Sequence, residues 1–279
     1  MSVHPESSRG TLLAQVLANP DLDGPRRVMA DWLTEQGKPR GEFISVQCER
    51  ETAEPGSERY GALWAREKDL QKRYAATWTP FFKKLSPRPE YTFRRGFLEH
   101  VKLRGLPGLA AAVKRVVQAE PVTALTLDQV QDHLNEVEAL LPAIARIRAL
   151  EIVAYNVEAE LFRILKKKAR FTELRWLRVG YFGGDEGARL VAETSCFATV
   201  RQLHLSHGSI SDEGVRHLCT LTGLEHLDLS NNRITDAGVA LLVATKHLKS
   251  VSLSANPRIT KVGRALLDER FVRTSSRSG

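Results

Sequence analysis

The stretch that decides the fold is a short apolar phrase followed by a turn that contains asparagine. Its clearest copy reads Leu224-Glu225-His226-Leu227-Asp228-Leu229-Ser230-Asn231-Asn232. The pattern apolar-x-x-apolar-x-apolar occurs seven times between residues 98 and 253, at a spacing of 24 to 27 residues. The copies start at Leu98, Val122, Ile147, Leu174, Val200, Leu224 and Leu248. A period of this length predicts a solenoid, in which each repeat buries its apolar side against its neighbours.

Each apolar phrase predicts a short parallel strand that is followed by a turn and a helix. Three hydroxyl side chains stand where the helices of the last repeats would begin: Ser211, Thr235 and Thr260. They fit N-caps, because a hydroxyl oxygen there accepts a hydrogen bond from an amide two or three residues further on. Three glycines follow them: Gly214, Gly238 and Gly263. We expect these glycines to let helix and strand approach closely.

These residues resemble the leucine-rich repeat superfamily, in its ribonuclease-inhibitor-like form or its shorter 24-residue bacterial form. The resemblance covers about residues 98–270 and is strongest over 174–270. It implies an α/β fold: a leucine-rich-repeat solenoid with parallel strands on the concave face and helices on the convex face. The first three repeats lack the Thr-Asp-x-Gly signature, so we expect irregular convex segments there. The consensus asparagine is replaced at three positions, so the asparagine ladder should be incomplete: Tyr155, Phe182 and Gly208.

The N-terminal part predicts a small α-helical domain. Thr11–Leu17 fits a short helix, and a second helix carries an apolar stripe made of Val28, Met29, Trp32 and Leu33. Pro25 suits the first position of that second helix, with Asp23 or Gly24 as its cap. A third helix should begin near Arg40 or Gly41.

The run from Asn19 to Leu33, followed by the run from Gly37 to Ile44, resembles the bacterial repeat-companion domain, which occurs beside leucine-rich repeats in myxobacteria and planctomycetes. The resemblance implies a bacterial protein and this domain architecture, and it carries no biochemical activity. Three polar residues belong to the motif: Asp31, Arg40 and Glu42. They are interpreted either as a binding site or as a cap with buried ion pairs between small helices.

The resulting domain organisation has four segments. Residues 1–55 form the helical companion domain, and residues 56–97 form a connecting helix, Glu58 to Trp78, and an N-terminal cap with a tight turn at Arg94-Arg95-Gly96. Residues 98–270 form the solenoid of about seven repeats, and residues 271–279 are a polar tail that we expect to be disordered.

The strand pattern places the side chains between the apolar positions on the concave face, because successive side chains of a strand alternate. We predict a protein-binding site formed by Glu151, Trp176, Arg178, Gln202, His204, His226 and Asp228. A large exposed aromatic residue beside an arginine is typical of a binding hot spot. The alternative is a solvated charge ladder with a tryptophan that long side chains partly cover.

His204 beside Asp228 also suggests a general base, and Ser206 or Ser230 would complete a catalytic triad on paper. A flat solvated sheet provides neither an oxyanion hole nor a pocket that excludes water. The sequence contains no Gly-rich phosphate loop, no metal-ligand spacing and no nucleophile elbow. We therefore predict a protein that is not an enzyme, with no catalytic residue, no metal site and no cofactor.

A basic cluster offers a second candidate site, formed by Arg163, Lys166, Lys167, Lys168 and Arg170. It suits nucleic acid or an acidic surface, or else it is a solvated helix end, where cations are favoured. The net charge of +8 comes from 41 basic and 33 acidic residues that are interleaved and form no polybasic arm. No interleaved aromatic residues accompany the basic run, which makes nucleic acid the less favoured partner. A regulator of a GTPase or another signalling switch is a further alternative, by fold analogy alone.

The remaining expectations concern location and assembly. The number of cysteines, 3, is odd and no two are closely spaced, which favours free thiols in a reducing compartment. The chain has no signal-peptide pattern and no apolar run long enough to span a membrane, so we expect a cytoplasmic protein. Few residues are left to cap the last repeat, which weakly favours self-association.

Overall fold

The computed structural model describes residues 5–105, 107–155, 158–180 and 183–272. The chain has mixed α/β structure and divides into two compact units. The first unit comprises Met1–Lys102 and Ala112–Thr123, and the second comprises Leu103–Ala111 and Ala124–Gly279. Among the helices that the structure describes, none is both long enough and apolar enough to cross a membrane.

The first unit contains helices packed together with a β-hairpin. Its elements are α1 (Pro5–Ala18), α2 (Asp23–Glu35), α3 (Pro39–Thr52), α4 (Glu58–Trp78), a 3-10 turn (Pro80–Phe82), β1 (Glu90–Arg94), and most of β2 (Phe97–Arg104) and of α5 (Leu109–Ala119). β1 and β2 pair antiparallel. Their connection is the predicted tight turn, in which Arg95 and Gly96 both have positive φ, 49° and 83°. A Cβ on Gly96 would lie 2.7 Å from Ile44 Cα, so this position has room only for glycine.

One apolar cluster of the core of this unit is formed by α1, α2, α3 and β2. It contains Val16, Met29, Ala30, Leu33, Ile44, Cys48 and Phe97. The stripe predicted on α2 is wrong at Val28, which is 51% exposed, because the helix turns Ala30 inward in its place. The predicted cap of α2 is also wrong, since the cap position is Leu22. Asp23 is instead the first helical residue, and its carboxylate lies 3.1 Å from Arg95 Nη1.

Charged groups inside this unit hold the hairpin against the helices. Arg26 is 1% exposed and donates to the carbonyls of Pro20 (2.7 Å) and Arg95 (3.2 Å). Arg40 donates to the Gly96 carbonyl at 3.1 Å and pairs with Glu120 at 2.7 Å. Breaking such a buried pair leaves an uncompensated charge, so these groups fix how the elements fit together.

The second unit alternates strands with helices. Its described residues form the strands β3 (Ala124–Asp128), β4 (Ala149–Val153), β5 (Trp176–Gly180), β6 (Gln202–His204), β7 (His226–Asp228) and β8 (Ser250–Ser252). Each pairs in parallel with the next. The helices are α6 (Leu134–Leu140), α7 (Glu158–Lys168), α8 (Gly184–Glu193), α9 (Asp212–Leu218), α10 (Asp236–Ala244) and α11 (Lys261–Leu267). Short 3-10 turns span Gln131–His133, Leu141–Ile144 and Ser195–Phe197.

The segments expected to be irregular differ from one another. Between β3 and β4 the chain forms two 3-10 turns around the seven residues of α6, which confirms the expectation. After β2 and after β4 it forms regular helices of 11 residues, α5 and α7, so the expectation is wrong for the first and third repeats. The predicted tail begins with Phe271 and Val272, which end a π-helical turn (Asp268–Val272), and residues 273–279 lie outside the described residues.

Candidate protein-binding face

The sheet of the second unit has one buried side and one accessible side. The middle residues Leu150, Leu177, Leu203 and Leu227 are at most 2% exposed. The residues on either side of them in the strands point the other way, as strand alternation requires, and are half-buried or exposed. We call this accessible side the open face. It carries all the residues of the predicted site: Glu151, Trp176, Arg178, Gln202, His204, His226 and Asp228.

Parallel register arranges these residues in two rows across the strands. One row runs Glu151, Arg178, His204, Asp228, and the other runs Trp176, Gln202, His226. The neighbours within each row are those that the repeat spacing predicts, because every strand starts at the same point of its repeat. Whether this face binds a partner remains a prediction.

An ion pair occupies one end of the first row. Arg178 Nη1 lies 3.2 Å from Glu151 Oε1. Glu151 Oε2 accepts a hydrogen bond of 3.1 Å from the Thr126 hydroxyl. The Arg178 side chain remains 47% exposed, and an exposed pair of this kind contributes at most about 1 kcal/mol to stability. The guanidinium is therefore oriented by Glu151 and still accessible.

The Trp176 ring packs diagonally against His204 on the neighbouring strand. The two ring centroids are 5.2 Å apart and the planes are inclined by 44°. The repeat spacing alone does not reveal this contact, because the residues directly opposite Trp176 are Ala149 and Gln202. Diagonal neighbours on a sheet are within reach of aromatic side chains, so a rule that includes them would have found it.

Asp228 fixes the other end of the first row. Its Oδ2 lies 3.5 Å from His204 Nδ1, and its Oδ1 accepts hydrogen bonds from the Ser230 N–H (2.9 Å) and the Ser230 hydroxyl (2.6 Å). Burial raises the pKa of Asp228, but the hydrogen bonds from Ser230 and His204 outweigh it, and the net pKa is lowered. The carboxylate therefore stays charged.

Ser230 is a member of this group that the site prediction missed. The sequence signal is the Asp-x-Ser spacing at a strand end, where a carboxylate commonly accepts from the residue two positions on. The Ser230 hydroxyl donates to Asp228, whereas a hydrolytic triad needs it beside the imidazole. The arrangement orders a charged surface and does not activate a nucleophile.

The second row ends in a polar pair. His226 Nδ1 lies 2.7 Å from the Ser250 hydroxyl, and Gln202 is exposed between His226 and Trp176. The row therefore offers one aromatic surface followed by hydrogen-bonding groups.

The basic cluster lies on and just after α7, away from the open face. Lys166 pairs with Glu193 at 2.7 Å and Lys168 pairs with Glu138 at 3.2 Å, so two of its five cations bridge to neighbouring repeats. Arg170 donates to the Ala169 carbonyl at 2.7 Å. Within the described part of the chain, Arg163 and Lys167 form no ion pair. Two of the five positive charges are therefore compensated by carboxylates of neighbouring helices.

Comparison with known families identifies repeats in the part of the chain that contains β6, β7 and β8. The family described as Leucine Rich repeats (2 copies) matches residues 222–266, and the family described as Leucine Rich repeat matches residues 198–219. Residues 198–266 contain leucine-rich repeats. A search of curated proteins gives no match. Leucine-rich repeats generally mediate protein–protein interactions and are typically non-enzymatic.

A ladder of buried asparagines supports the leucine-rich repeats from within. Asn232 Oδ1 accepts from the N–H groups of Gly208 (3.1 Å) and Ile210 (2.9 Å), and its Nδ2 donates to the carbonyls of Leu205 and Leu229, both at 2.9 Å. In the next repeat Asn256 Oδ1 accepts from the Ile234 N–H, and its Nδ2 donates to the carbonyls of Leu229 and Leu253. The ladder is incomplete, as predicted, since Gly208 offers only its backbone; Phe182 lies outside the described residues.

The predicted N-caps of these repeats are confirmed. Their hydroxyl oxygens accept hydrogen bonds from amides two residues on: Ser211 from Glu213, Thr235 from Ala237, and Thr260 from Val262.

The prediction that Gly214, Gly238 and Gly263 let helix and strand approach closely needs correction. A Cβ at each would meet an aspartate of the preceding repeat: Asp185 at Gly214, Asp212 at Gly238 and Asp236 at Gly263. Each glycine therefore makes room for the aspartate carboxylate that binds the N-cap residue of its own helix. It does not make room for a strand.

Proposed function

We propose that this protein is a non-enzymatic interaction module whose leucine-rich repeats form a solenoid and bind another protein through the open face. In this proposal the repeats extend over residues 98–270, and residues 1–55 are a companion domain of the bacterial repeat-associated type. The contact residues are the two rows of the open face: Glu151, Trp176, Arg178, Gln202, His204, His226 and Asp228.

The observation that carries the proposal is the group formed by Trp176, His204 and Arg178. The Trp176 ring is half-buried against His204, and Arg178 stands next to Trp176 on the same strand, held by Glu151. Tryptophan and arginine are the residues most enriched in binding hot spots, where truncation costs about 2 kcal/mol or more. Because both side chains are already oriented, a partner loses little side-chain entropy in ordering them.

The nucleic-acid alternative has weaker support. A binding surface for phosphates needs cations that are free to replace counterions, and Lys166 and Lys168 are engaged by Glu193 and Glu138. We therefore place the partner site on the open face and assign the cluster to contacts between adjacent helices.

We further propose that the protein works in a reducing compartment such as the cytoplasm. Cys48, Cys196 and Cys219 are free thiols. Burial raises the pKa of all three, that of Cys48 to about 11, so they are protonated and poorly reactive at neutral pH.

The proposal is tested by affinity capture from the source cell with quantitative mass spectrometry. The double variant Trp176→Ala/Arg178→Glu should lose the specific partner, with at least about a tenfold drop in recovery. The chain offers a matched control in Trp64, which is 50% exposed and carries Lys68 over its ring at 5.9 Å. Trp64→Ala/Lys68→Glu likewise removes a tryptophan and reverses a positive charge, but on another surface, and should keep the partner. Equal recovery with wild type and with the Trp176 variant would show that the face is only a solvated charge ladder.

A further inference from the structure

The first unit contains an aromatic cleft with a volume of about 580 Å³. Among the described residues, five with aromatic rings line it: Trp32, Tyr74, Trp78, Phe81 and Phe97. Trp32, Tyr74 and Phe81 are only half-buried, so part of their apolar surface faces water. Sites for small organic molecules have volumes of about 300 to 1,000 Å³ and are lined mainly by such side chains, with a few polar groups among them.

The rings that form the cleft are held by packing behind them. Trp78 lies 5.8 Å from Tyr74 and 4.7 Å from the buried Phe43, measured between ring centroids. Phe97 belongs to the apolar core. The cleft is therefore a formed feature of the fold, and a ligand would not have to open it.

Arg40 supplies a polar group in the wall of the cleft. Its guanidinium lies over the Phe97 ring at 4.9 Å. Nε donates to the Gly96 carbonyl and Nη2 to Glu120, whereas Nη1 has no hydrogen-bond partner among the described residues. Two protons on Nη1 are thus left for an acceptor, on a guanidinium that its other bonds keep in place.

The charges of the side chains that line the cleft determine which kind of hydrogen-bond acceptor a ligand can bring. Arg9 and Lys38 also line the cleft, are exposed, and form no ion pair within the part of the chain that the structure describes. Among the described residues that line the cleft, Glu120 is the only carboxylate, and its Oε2 already accepts from Arg40 and from the Leu98 N–H. Three cations against one engaged carboxylate favour an anion and repel an organic cation.

We propose that this cleft binds a small organic anion, a carboxylate carried on an aromatic or branched aliphatic body. The body lies against the rings, and the carboxylate accepts hydrogen bonds from Arg40 Nη1 in the field of Arg9 and Lys38. The ligand is a free small molecule and not a protein segment, since a stable protein interface buries about 1,200–2,000 Å² and this cleft has room for one compact group. The site is separate from the open face and does not depend on it.

Three probes with the same body and different charge test the proposal: 4-phenylbutyrate, 4-phenylbutanol and 4-phenylbutylamine. The full chain contains 4 tryptophans, and replacing two of them, Trp64→Phe/Trp176→Phe, leaves Trp32 and Trp78, which line the cleft, as the emitting residues. We expect saturable, one-site quenching by the acid, binding at least about tenfold weaker for the alcohol, and no binding of the amine. Calorimetry of the unsubstituted chain should give the same order.

Variants separate charge from apolar contact. Lys38→Gln should weaken binding of the acid about two- to fivefold and leave binding of the alcohol unchanged, since exposed charges contribute modestly. Lys114→Gln, which removes an exposed lysine of α5 outside the cleft, should change neither. Phe81→Ala should weaken both probes together. If Phe81→Ala lowers the melting temperature, the comparison of Lys38→Gln with Lys114→Gln still tests whether the cleft selects its ligand by charge.

Three outcomes would overturn the proposal. The first is equal binding of the acid and the amine, which would leave an apolar cleft without charge selection. The second is no saturable signal from 4-phenylbutyrate up to about 10 mM. The third is binding of a blocked acidic peptide with an aromatic residue when the free acid does not bind, which would make the cleft a docking site for proteins.

Discussion

Asp212 and Thr235 form a double hydrogen bond between consecutive repeats. Asp212 Oδ1 accepts from the Thr235 N–H at 2.9 Å, and Oδ2 accepts from the Thr235 hydroxyl at 2.6 Å. The same hydroxyl accepts from the Ala237 N–H and so caps α10. Asp185 binds Ser211 and Asp236 binds Thr260 in the same way. Each aspartate lies in the first turn of one helix and fixes the start of the next.

Removing the Asp212 carboxylate should destabilise the repeats. Asp212→Ala leaves the Thr235 N–H and hydroxyl without their acceptor, and a half-buried unsatisfied group costs about 1–3 kcal/mol. Urea unfolding followed by circular dichroism measures the change as a shift of the midpoint. Glu213→Ala is the control one residue away, since the exposed Glu213 side chain pairs with Arg216 and His217 of its own helix, and it should cost under about 0.5 kcal/mol. Equal costs for the two variants would remove the linking role of Asp212.

Two glycine substitutions should have opposite effects. In Gly238→Ala the new Cβ would meet Asp212 Oδ1 and lie 2.7 Å from Ile234 Cγ2, which forces the carboxylate away from Thr235. We expect a loss of about 1–3 kcal/mol. Gly61→Ala lies within α4, where no described atom is within 4 Å of the added carbon, and should gain about 0.5–1 kcal/mol. Denaturation curves of both variants check the contrast, which fails if Gly238→Ala is neutral.

Acid should remove the stabilising contribution of the Asp228 carboxylate, which comparison with Asp228→Asn separates from that of other carboxylates whose pKa is lowered, such as Glu173 and Asp236. The pKa of Asp228 is lowered in the folded state, so its stabilisation is complete above the ordinary aspartate pKa, about 3.9, and is lost as the pH falls through the lower folded value. Asp228→Asn should therefore be less stable than wild type at pH 6, and the difference should shrink below about pH 4. Melting temperatures of both chains from pH 6 to pH 3 measure it. A difference that stays constant over this range would mean that the charge of Asp228 is not involved.

The sequence predicted the strands of the second unit and the neighbours within both rows of the open face. The reason is periodicity: once Leu177, Leu203 and Leu227 occupy the same place in each repeat, parallel pairing aligns the residues beside them. The contact between Trp176 and His204 was missed because it runs diagonally and depends on ring size. The prediction that Val28 belongs to the buried stripe of α2 was wrong. A single helix of a small unit has apolar residues on more than one side, and only packing decides which of them are buried.

The aromatic cleft is a second feature that could not be predicted from local sequence patterns. Its lining comes from segments as distant as Arg9, Trp32, Tyr74 and Glu120, and no local pattern joins them. Arg40 belongs to a motif that the sequence singles out, but its partners, Gly96 and Glu120, are 56 and 80 residues away.

By itself, the sequence determined the repeat, the strand register and the side of the sheet on which each residue lies, because a repeated pattern carries its own alignment from one copy to the next. Only the tertiary structure decided which aspartate meets which cap, which rings touch, and where the first unit leaves a cleft. Those contacts join residues without a shared period, and they are fixed by the shape and charge of the packed elements.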